Sequence, residues 1–217
     1  MIDLSAARRA MVDCQVRPSD VTRYALIEAM LWVPREQFVP RSKREIAYAE
    51  TDIEVAEGRF LLAPRTLAKM IEAADVGPGD LVLDLAPATG YSTAVLSRVA
   101  EAVVAVEPDE ALVKQASAAF DALEIDNAAI AAGDPTAGDP VHGPFDVIFV
   151  NGAVETLPEA LFAQMKPGSR LIAIVEEAGT GRCLRYTRAG EAVSKRFMFD
   201  AVAPPLENFR SETGFTF

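Results

Sequence analysis

Four polar side chains that can bind a polar ligand follow short apolar runs along the chain: Asp84, Glu107, Asp134 and Asn151. In open parallel sheets, ligands bind beyond the carboxyl ends of the strands, where the strand order reverses. An acid in the position of Glu107 can accept hydrogen bonds from both hydroxyls of a ribose. Asp134 could accept one from an adenine amino group. Together the four side chains predict a nucleoside site.

Two of these carboxylates also have simpler interpretations. Glu107 could cap the helix that follows it. Asp134 precedes Pro135, and aspartate is common in turns of this kind. Both alternatives stay open on the sequence alone.

The loop after the first apolar run is rich in small residues, since positions 84–91 read DLAPATGY. Small residues let backbone N–H groups and a helix N-terminus approach a ligand closely. Only Gly90 is a glycine, whereas Ala86 and Ala88 carry methyl groups. An alanine is tolerated there if its φ stays negative. The loop alone suits a cofactor site and a structural turn equally well.

Other catalytic and metal-binding devices are not indicated. Cys14, Cys183 and the single histidine, His142, cannot provide the four ligands of a zinc site, so we expect no metal. No Ser-His-Asp or Cys-His arrangement is suggested, which argues against hydrolases that use them. An NAD-dependent oxidoreductase is disfavoured because the loop lacks GxGxxG spacing.

The apolar runs alternate with helix-like segments, which is typical of βαβ crossovers and a parallel sheet. The strand-like runs are residues 81–85, 102–106, 128–132, 145–150 and 171–175, and the helix-like ones include 110–123 and 159–165. Residues 182–187 and 192–199 are joined too closely for a crossover helix. They predict an antiparallel hairpin at the end of the sheet.

The N-terminal third reads as a helical cap on this core. Helices are predicted from about Asp20 to before Pro34 and over residues 42–49 and 64–74, whereas residues 51–62 show no clear period. A chain of 217 residues can bury one full core. We expect a single domain, with a helical extension (1–76), a Rossmann-like core (77–203) and a tail (204–217) of open structure.

Composition limits the partners. The formal net charge of −11 disfavours nucleic acid, whose binding requires a basic surface. No apolar run is long enough to cross a bilayer, and residues 1–9 lack the pattern of a secretory signal. We expect a cytoplasmic protein with no membrane partner, and the sequence does not indicate an oligomeric state.

Several further segments resemble successive motifs of the protein-L-isoaspartate O-methyltransferases. The match is collinear from about Val16 to Val175, and its most specific motif is VPREQFVP at residues 33–40. The other matching segments are residues 47–48 (AY), 58–64 (GRFLLAP), 82–96, 158–161 (PEAL) and 166–168 (KPG).

The resemblance implies a class I methyltransferase fold with a mixed, mostly parallel seven-stranded sheet. It implies S-adenosylmethionine as cofactor and methylation of the carboxylate of isoaspartyl residues in damaged proteins. It also implies that Asp84, Ala86, Ala88 and Gly90 line the methionine end of the cofactor, that Glu107 holds the ribose and that Asp134 lies near the adenine. The site derived from the residues coincides with the site of the family.

Two departures from the family pattern bear on activity. The family shows a Thr-Ile-Ser-x-Pro segment whose serine lies at the substrate carboxylate, whereas this chain has Phe60, Leu62 and Pro64 in the corresponding segment. Leu62 has no hydroxyl. The second departure is the pair of alanines in a loop that resembles Gly-x-Gly-x-Gly. A non-catalytic homologue, or one with a different acceptor, is therefore an alternative.

Two arginines flank the altered segment. We hypothesise that Arg59 or Arg65 clamps the substrate carboxylate in place of the missing serine, since an arginine can bind a carboxylate with two hydrogen bonds. Both could equally be exposed, solubilising side chains.

Overall fold

The computed structural model describes residues 3–177 and 179–210, and its centre is a seven-stranded sheet. The strands are β1 (Ile53–Ala56), β2 (Arg59–Leu61), β3 (Leu81–Leu85), β4 (Ala102–Glu107), β5 (Ala128–Ala132), β6 (Phe145–Val154), β7 (Met165–Glu177), β8 (Thr180–Ala189) and β9 (Ala192–Asp200). The α-helices are α1 (Leu4–Met11), α2 (Tyr24–Trp32), α3 (Pro64–Ala74), α4 (Tyr91–Ser97), α5 (Glu110–Ala122) and α6 (Glu159–Ala163).

The sheet has the order β5-β4-β3-β6-β7-β8-β9. The pairs from β5 to β7 are parallel, and β7–β8 and β8–β9 are antiparallel. This confirms the predicted mostly parallel sheet with a C-terminal hairpin. Along the chain the order reverses after β5, because β6 returns to pair with β3 on the side away from β4. The carboxyl ends of β3, β4 and β6 therefore lie side by side at the point of reversal, and a crevice at such a point is the usual place for a ligand in these sheets.

Both faces of the central sheet are buried. Val82 belongs to the hydrophobic cluster that also contains residues of α2, α3 and α4, whereas Leu83 and Leu85 belong to a second cluster with β7 and the segment after β9. Successive side chains of a strand point to opposite faces. A run as apolar as LVLDL is what a strand covered on both faces requires.

The N-terminal cap contains more than helices. Residues 51–62, which showed no period, form the β1–β2 hairpin, with Gly58 at φ 65° in its turn. Two strands of four and three residues are too short for an alternating pattern to stand out. The helix predicted over 42–49 is a 3₁₀ segment, Arg41–Ile46. A π-helical turn, Val12–Val16, follows α1 directly.

The segment after β9 packs against the carboxyl end of β6. The Ala153 amide donates to the Pro204 carbonyl and the Leu206 amide donates to the Ala153 carbonyl, each at 2.8 Å. Phe209 is only 2% exposed. Residues 204–210 of the predicted tail are thus built onto the rim of the sheet, and residues 211–217 lie outside the described part. Within the described residues, no helix has the length and apolar character needed to span a bilayer.

Gly152→Ala should loosen this attachment, because a Cβ at that position would lie 2.6 Å from Leu206 Cγ and 3.0 Å from the Pro204 carbonyl oxygen. Overpacking of this kind costs about 1–3 kcal/mol of unfolding free energy. Urea unfolding measures that loss, and hydrogen exchange should show a less protected Leu206 amide. Gly79→Ala is the matched control, since a Cβ added there would have no atom within 4 Å. Equal losses in the two variants would contradict the expectation.

Candidate nucleoside site

The loop between β3 and α4 has an unusual backbone. Ala86, Ala88 and Gly90 all have positive φ, at 58°, 55° and 88°, and Gly90 directly precedes α4. These are the three positions at which the family resemblance implies glycine. Left-handed geometry costs an alanine about 1–2 kcal/mol. The condition under which alanine would be tolerated here, a negative φ, is therefore not met, and the loop retains a glycine-type path with alanine side chains.

Gly90 has a second constraint. A Cβ there would lie 2.8 Å from Phe120 Cζ and 2.9 Å from the Ala116 Cβ, both on α5. The glycine thus lets α4 start close against α5. This close approach is to a neighbouring helix of the same chain.

Asp84 lies at the centre of a hydrogen-bond network with no solvent exposure. Its carboxylate accepts from Ser92 Oγ at 2.8 Å, from Thr93 Oγ1 at 2.7 Å and from the Asn151 side-chain amide. Burial raises the pKa of Asp84 to about 6, although the three hydrogen bonds oppose that shift. Asn151, predicted as a rim residue, thereby links β6 to β3.

Glu107, at the end of β4, is also fully buried. Its Oε2 atom accepts from the Ala88 amide and from Arg59 Nη2, both at 2.7 Å, and its Oε1 accepts from the Asp109 amide at 3.3 Å. Glu107 is not the cap of the following helix, as the alternative interpretation had it. Asp109 caps α5, because its side chain accepts from the Ala111 and Leu112 amides.

Arg59 reaches this carboxylate from the first position of β2. Its Nη2 also donates to the Ala86 carbonyl at 2.9 Å, so that the arginine links the β3–α4 loop to the end of β4. The hypothesis that Arg59 clamps a substrate carboxylate is not supported by this arrangement, because the guanidinium already holds a carboxylate of the chain. Arg65 is more accessible, since its side chain is 54% exposed and its ion pair with Glu50 is long, at 3.7 Å, and open to solvent.

Asp134 is set apart from the other acids. It is exposed at the end of β5, and its two carboxylate oxygens accept from the amide and the hydroxyl of Thr136 at 2.9 and 2.8 Å. These are the contacts of a turn-forming aspartate. The structure thus brings Asp84, Glu107 and Asn151 together with the loop, and leaves Asp134 at the outer edge.

The segment that contains Phe60, Leu62 and Pro64 is held by backbone contacts. Leu62 is 3% exposed, and its carbonyl accepts from Arg35 Nη2 at 2.8 Å. Arg35 is fully buried, donates through Nε to the Ala47 carbonyl and lies 4.7 Å from the centre of the Tyr91 ring. Burial lowers the pKa of Arg35. Sequence reasoning missed this role, although Arg35 lies in the specific VPREQFVP motif.

The residues at the rim fit a nucleoside cofactor on two counts and oppose it on one. The loop follows a left-handed path at the carboxyl end of β3, and two buried carboxylates lie at the ends of the neighbouring strands β3 and β4. Arg59 stands against binding, because it fills the acceptor that a ribose would use. The same residues do not suggest a metal centre, and no metal-binding cluster of His, Cys, Asp and Glu occurs in the described part of the chain.

Comparison with known proteins gives a consistent result. Residues 7–202 match the family model described as protein-L-isoaspartate(D-aspartate) O-methyltransferase (PCMT). A protein-L-isoaspartate O-methyltransferase of Pelotomaculum thermopropionicum is 38% identical over 84% of this chain and 80% of its own length. One of Roseiflexus sp. is 36% identical over 94% of both chains.

Solved structures agree with the fold. A protein-L-isoaspartate O-methyltransferase superposes with a TM-score of 0.83 at 24% identity, covering 93% of this chain and 67% of its own. The crystal structure of a beta-aspartate methyltransferase (PCMT) from Plasmodium falciparum, in complex with S-adenosyl-L-homocysteine, gives a TM-score of 0.80 at 20% identity and covers 93% and 98%.

Ala88→Gly should change the unfolding free energy by less than about 1 kcal/mol, because relief of the left-handed strain offsets the flexibility of glycine and the lost methyl burial. Ala94→Gly is the control: Ala94 is equally buried but lies within α4, where no strain is relieved. That variant should lose about 1–2 kcal/mol. Chemical denaturation of both variants checks the contrast, and equal losses would argue against strain at Ala88.

Asp84 should make the protein less stable as the pH rises through about 6. Its pKa is raised in the folded state, so the folded protein binds this proton more tightly than the unfolded chain between about pH 4 and 6. As the pH rises through that window, the contribution of Asp84 to the free energy of unfolding falls by about 3 kcal/mol in total. The difference in unfolding free energy between wild type and Asp84→Asn isolates this carboxyl from the others. A difference that does not vary with pH would contradict the raised pKa.

Proposed function

The chain belongs to the protein-L-isoaspartate O-methyltransferase family, and on that premise we propose that it transfers a methyl group from S-adenosylmethionine to the carboxylate of isoaspartyl residues in damaged proteins. The relatives named above are O-methyltransferases, which disfavours the alternative of a non-catalytic homologue. The proposal assigns the cofactor to Asp84, Ala86, Ala88, Gly90, Glu107 and Asn151, with Asp134 at the outer, adenine end.

The β3–α4 loop is the observation that carries the proposal. Ala86 and Ala88 keep left-handed backbones that are strained for alanine. Strained backbone of this kind persists where the surroundings enforce it, commonly at ligand sites. Two buried carboxylates beside that loop suit a ligand with ribose hydroxyls and a positive charge.

The chemistry needs little from the chain beyond positioning. When bound, the cofactor supplies an electrophilic methyl group on a positively charged sulfur. An isoaspartyl carboxylate is already ionised near pH 7, so no general base is required. Asp84 has a pKa of about 6 and is therefore ionised at pH 7, so that a negative charge lies at the end of β3, next to the β3–α4 loop. The apolar side chains of Phe60 and Leu62 exclude water from an acceptor carboxylate that binds beside them.

The acceptor would meet the chain at the start of α3. Leu62 replaces the serine of the family there, and Arg65 lies in the first turn of that helix with a half-exposed side chain. We assign the attraction of the substrate carboxylate to Arg65, because its ion pair with Glu50 is long and exposed, whereas Arg59 is held in a short, buried pair with Glu107. The missing hydroxyl lowers the efficiency of transfer and leaves the reaction type unchanged.

The proposal extends to partners and location. A net charge of −11 supports a protein substrate over nucleic acid. Cys14 and Cys183 are free thiols, which is typical of a reducing compartment and supports a cytoplasmic location. We also treat residues 1–217 as one domain, since α2 and α3 share a hydrophobic cluster with the sheet.

Methyl transfer from radiolabelled S-adenosylmethionine to an isoaspartyl peptide tests the function. Wild type should label this peptide and not the matched aspartyl peptide. Leu62→Ser should raise kcat/KM about ten- to a hundredfold, because a hydrogen bond to a charged group is worth about 1.5–3 kcal/mol.

Leu62→Ala is the control, since it opens the same space without a hydroxyl and loses similar buried area. It should not reproduce the gain. Equal labelling of both peptides, or no labelling by any of the three proteins, would refute isoaspartyl methylation.

A further inference from the structure

The buried carboxylate of Glu107 has little capacity left for a ligand. Its Oε2 accepts from Arg59 and from the Ala88 amide, and its Oε1 accepts from the Asp109 amide. The side chain has no exposed surface. A ribose that binds through both hydroxyls needs accessible acceptors on this group. One of the three donors must therefore leave before a ribose can enter.

Arg59 is the donor that can leave. The Ala88 amide belongs to the β3–α4 loop, and the Asp109 amide belongs to the residue that caps α5, so both are fixed by the fold. Arg59 extends from the β1–β2 hairpin, which lies outside the seven-stranded sheet, and its side chain retains 12% exposure. A guanidinium on a flexible stem can withdraw without any change in the sheet.

In this position Arg59 also leaves one of its hydrogen-bond donors without a partner. Its Nη2 atom makes two hydrogen bonds, whereas its Nε is buried and has no hydrogen-bond partner. A buried donor without an acceptor is unfavourable. This lowers the cost of moving the arginine outward, where water can reach Nε.

We propose that Arg59 occupies the ribose position of the nucleoside site, so that it competes with the cofactor and sets the cofactor affinity of this chain. The inference rests on the proposed function, because it takes the ligand to be an S-adenosyl nucleoside. Binding then requires Arg59 to release Glu107 and the Ala86 carbonyl. The measured affinity is the intrinsic affinity multiplied by the fraction of molecules in which Arg59 has withdrawn.

Isothermal titration with S-adenosylhomocysteine tests this on the wild type and on Arg59→Met, which keeps the aliphatic stem and removes the charge. The variant should bind at least tenfold more tightly. Arg59→Lys, which keeps the charge but offers no planar fork, should fall between the two. Without ligand, Arg59→Met should melt at a lower temperature than wild type, and saturating S-adenosylhomocysteine should raise its melting temperature by the larger increment.

Arg170→Met is the matched control. Arg170 forms an ion pair with Asp80, which directly precedes β3 at the end of that strand away from the nucleoside site, and the two side chains are 22% and 18% exposed. Its loss should lower the melting temperature and leave the dissociation constant unchanged. A gain in affinity in Arg170→Met equal to that in Arg59→Met would overturn the inference, because it would reflect general loosening.

The remaining outcomes separate this inference from the proposed function. Equal or weaker binding by Arg59→Met, with clear binding by wild type, would overturn the role of Arg59 and leave the methyltransferase assignment intact. Absence of binding by wild type and by both Arg59 variants, with circular dichroism showing folded protein, would overturn the cofactor assignment itself.

Discussion

Two carboxylates, Asp84 and Glu107, are removed from water at neighbouring strand ends, and the rim of the sheet is arranged around them. A buried charge is tolerated only with hydrogen-bond donors or a counter-ion. Asp84 receives side-chain donors from α4 and β6, and burial still raises its pKa to about 6. Glu107 receives backbone amides and a full positive charge. Four elements, α4, β6, the β3–α4 loop and β2, thus contribute donors to one or the other acid.

The segment around Leu62, on the proposed substrate side, is held by backbone contacts instead of buried carboxylates. Arg35 holds the Leu62 carbonyl, and the Asp52 side chain accepts from the Ala63 amide at 2.7 Å. Burial also raises the pKa of Asp52. The path of this segment thus depends on backbone groups, which every residue type supplies. A leucine can stand where the family has serine without displacing the segment, so the change removes a hydroxyl while the architecture persists.

The central sheet was predictable because buried strands and crossover helices leave strong patterns. The runs at 81–85 and 128–132 match β3 and β5 residue for residue. Asp84 and Glu107 were predictable as rim residues because the ends of β3 and β4 are readable from the same pattern, whereas β6 continues past Asn151 to Val154. The β1–β2 hairpin was not, since three- and four-residue strands carry almost no periodicity. The pairing of Arg59 with Glu107 could not be predicted either, because the two residues are 48 positions apart and meet only through that hairpin.

The two alanines by which the loop departs from its family are both hydrogen-bonded to the Arg59–Glu107 pair. The alanines at 86 and 88 impose strain of about 1–2 kcal/mol each, which glycines would avoid. The contacts that offset this strain are those of Arg59 with the Ala86 carbonyl and of Glu107 with the Ala88 amide. Hydrogen bonds to charged groups contribute about 1.5–3 kcal/mol each, which is of the same size as the strain. The ion pair between Arg59 and Glu107 therefore fastens both strained residues at once. Because one arginine both holds the loop in its glycine-type path and fills the ribose acceptor, loop stability and cofactor affinity oppose each other in this chain.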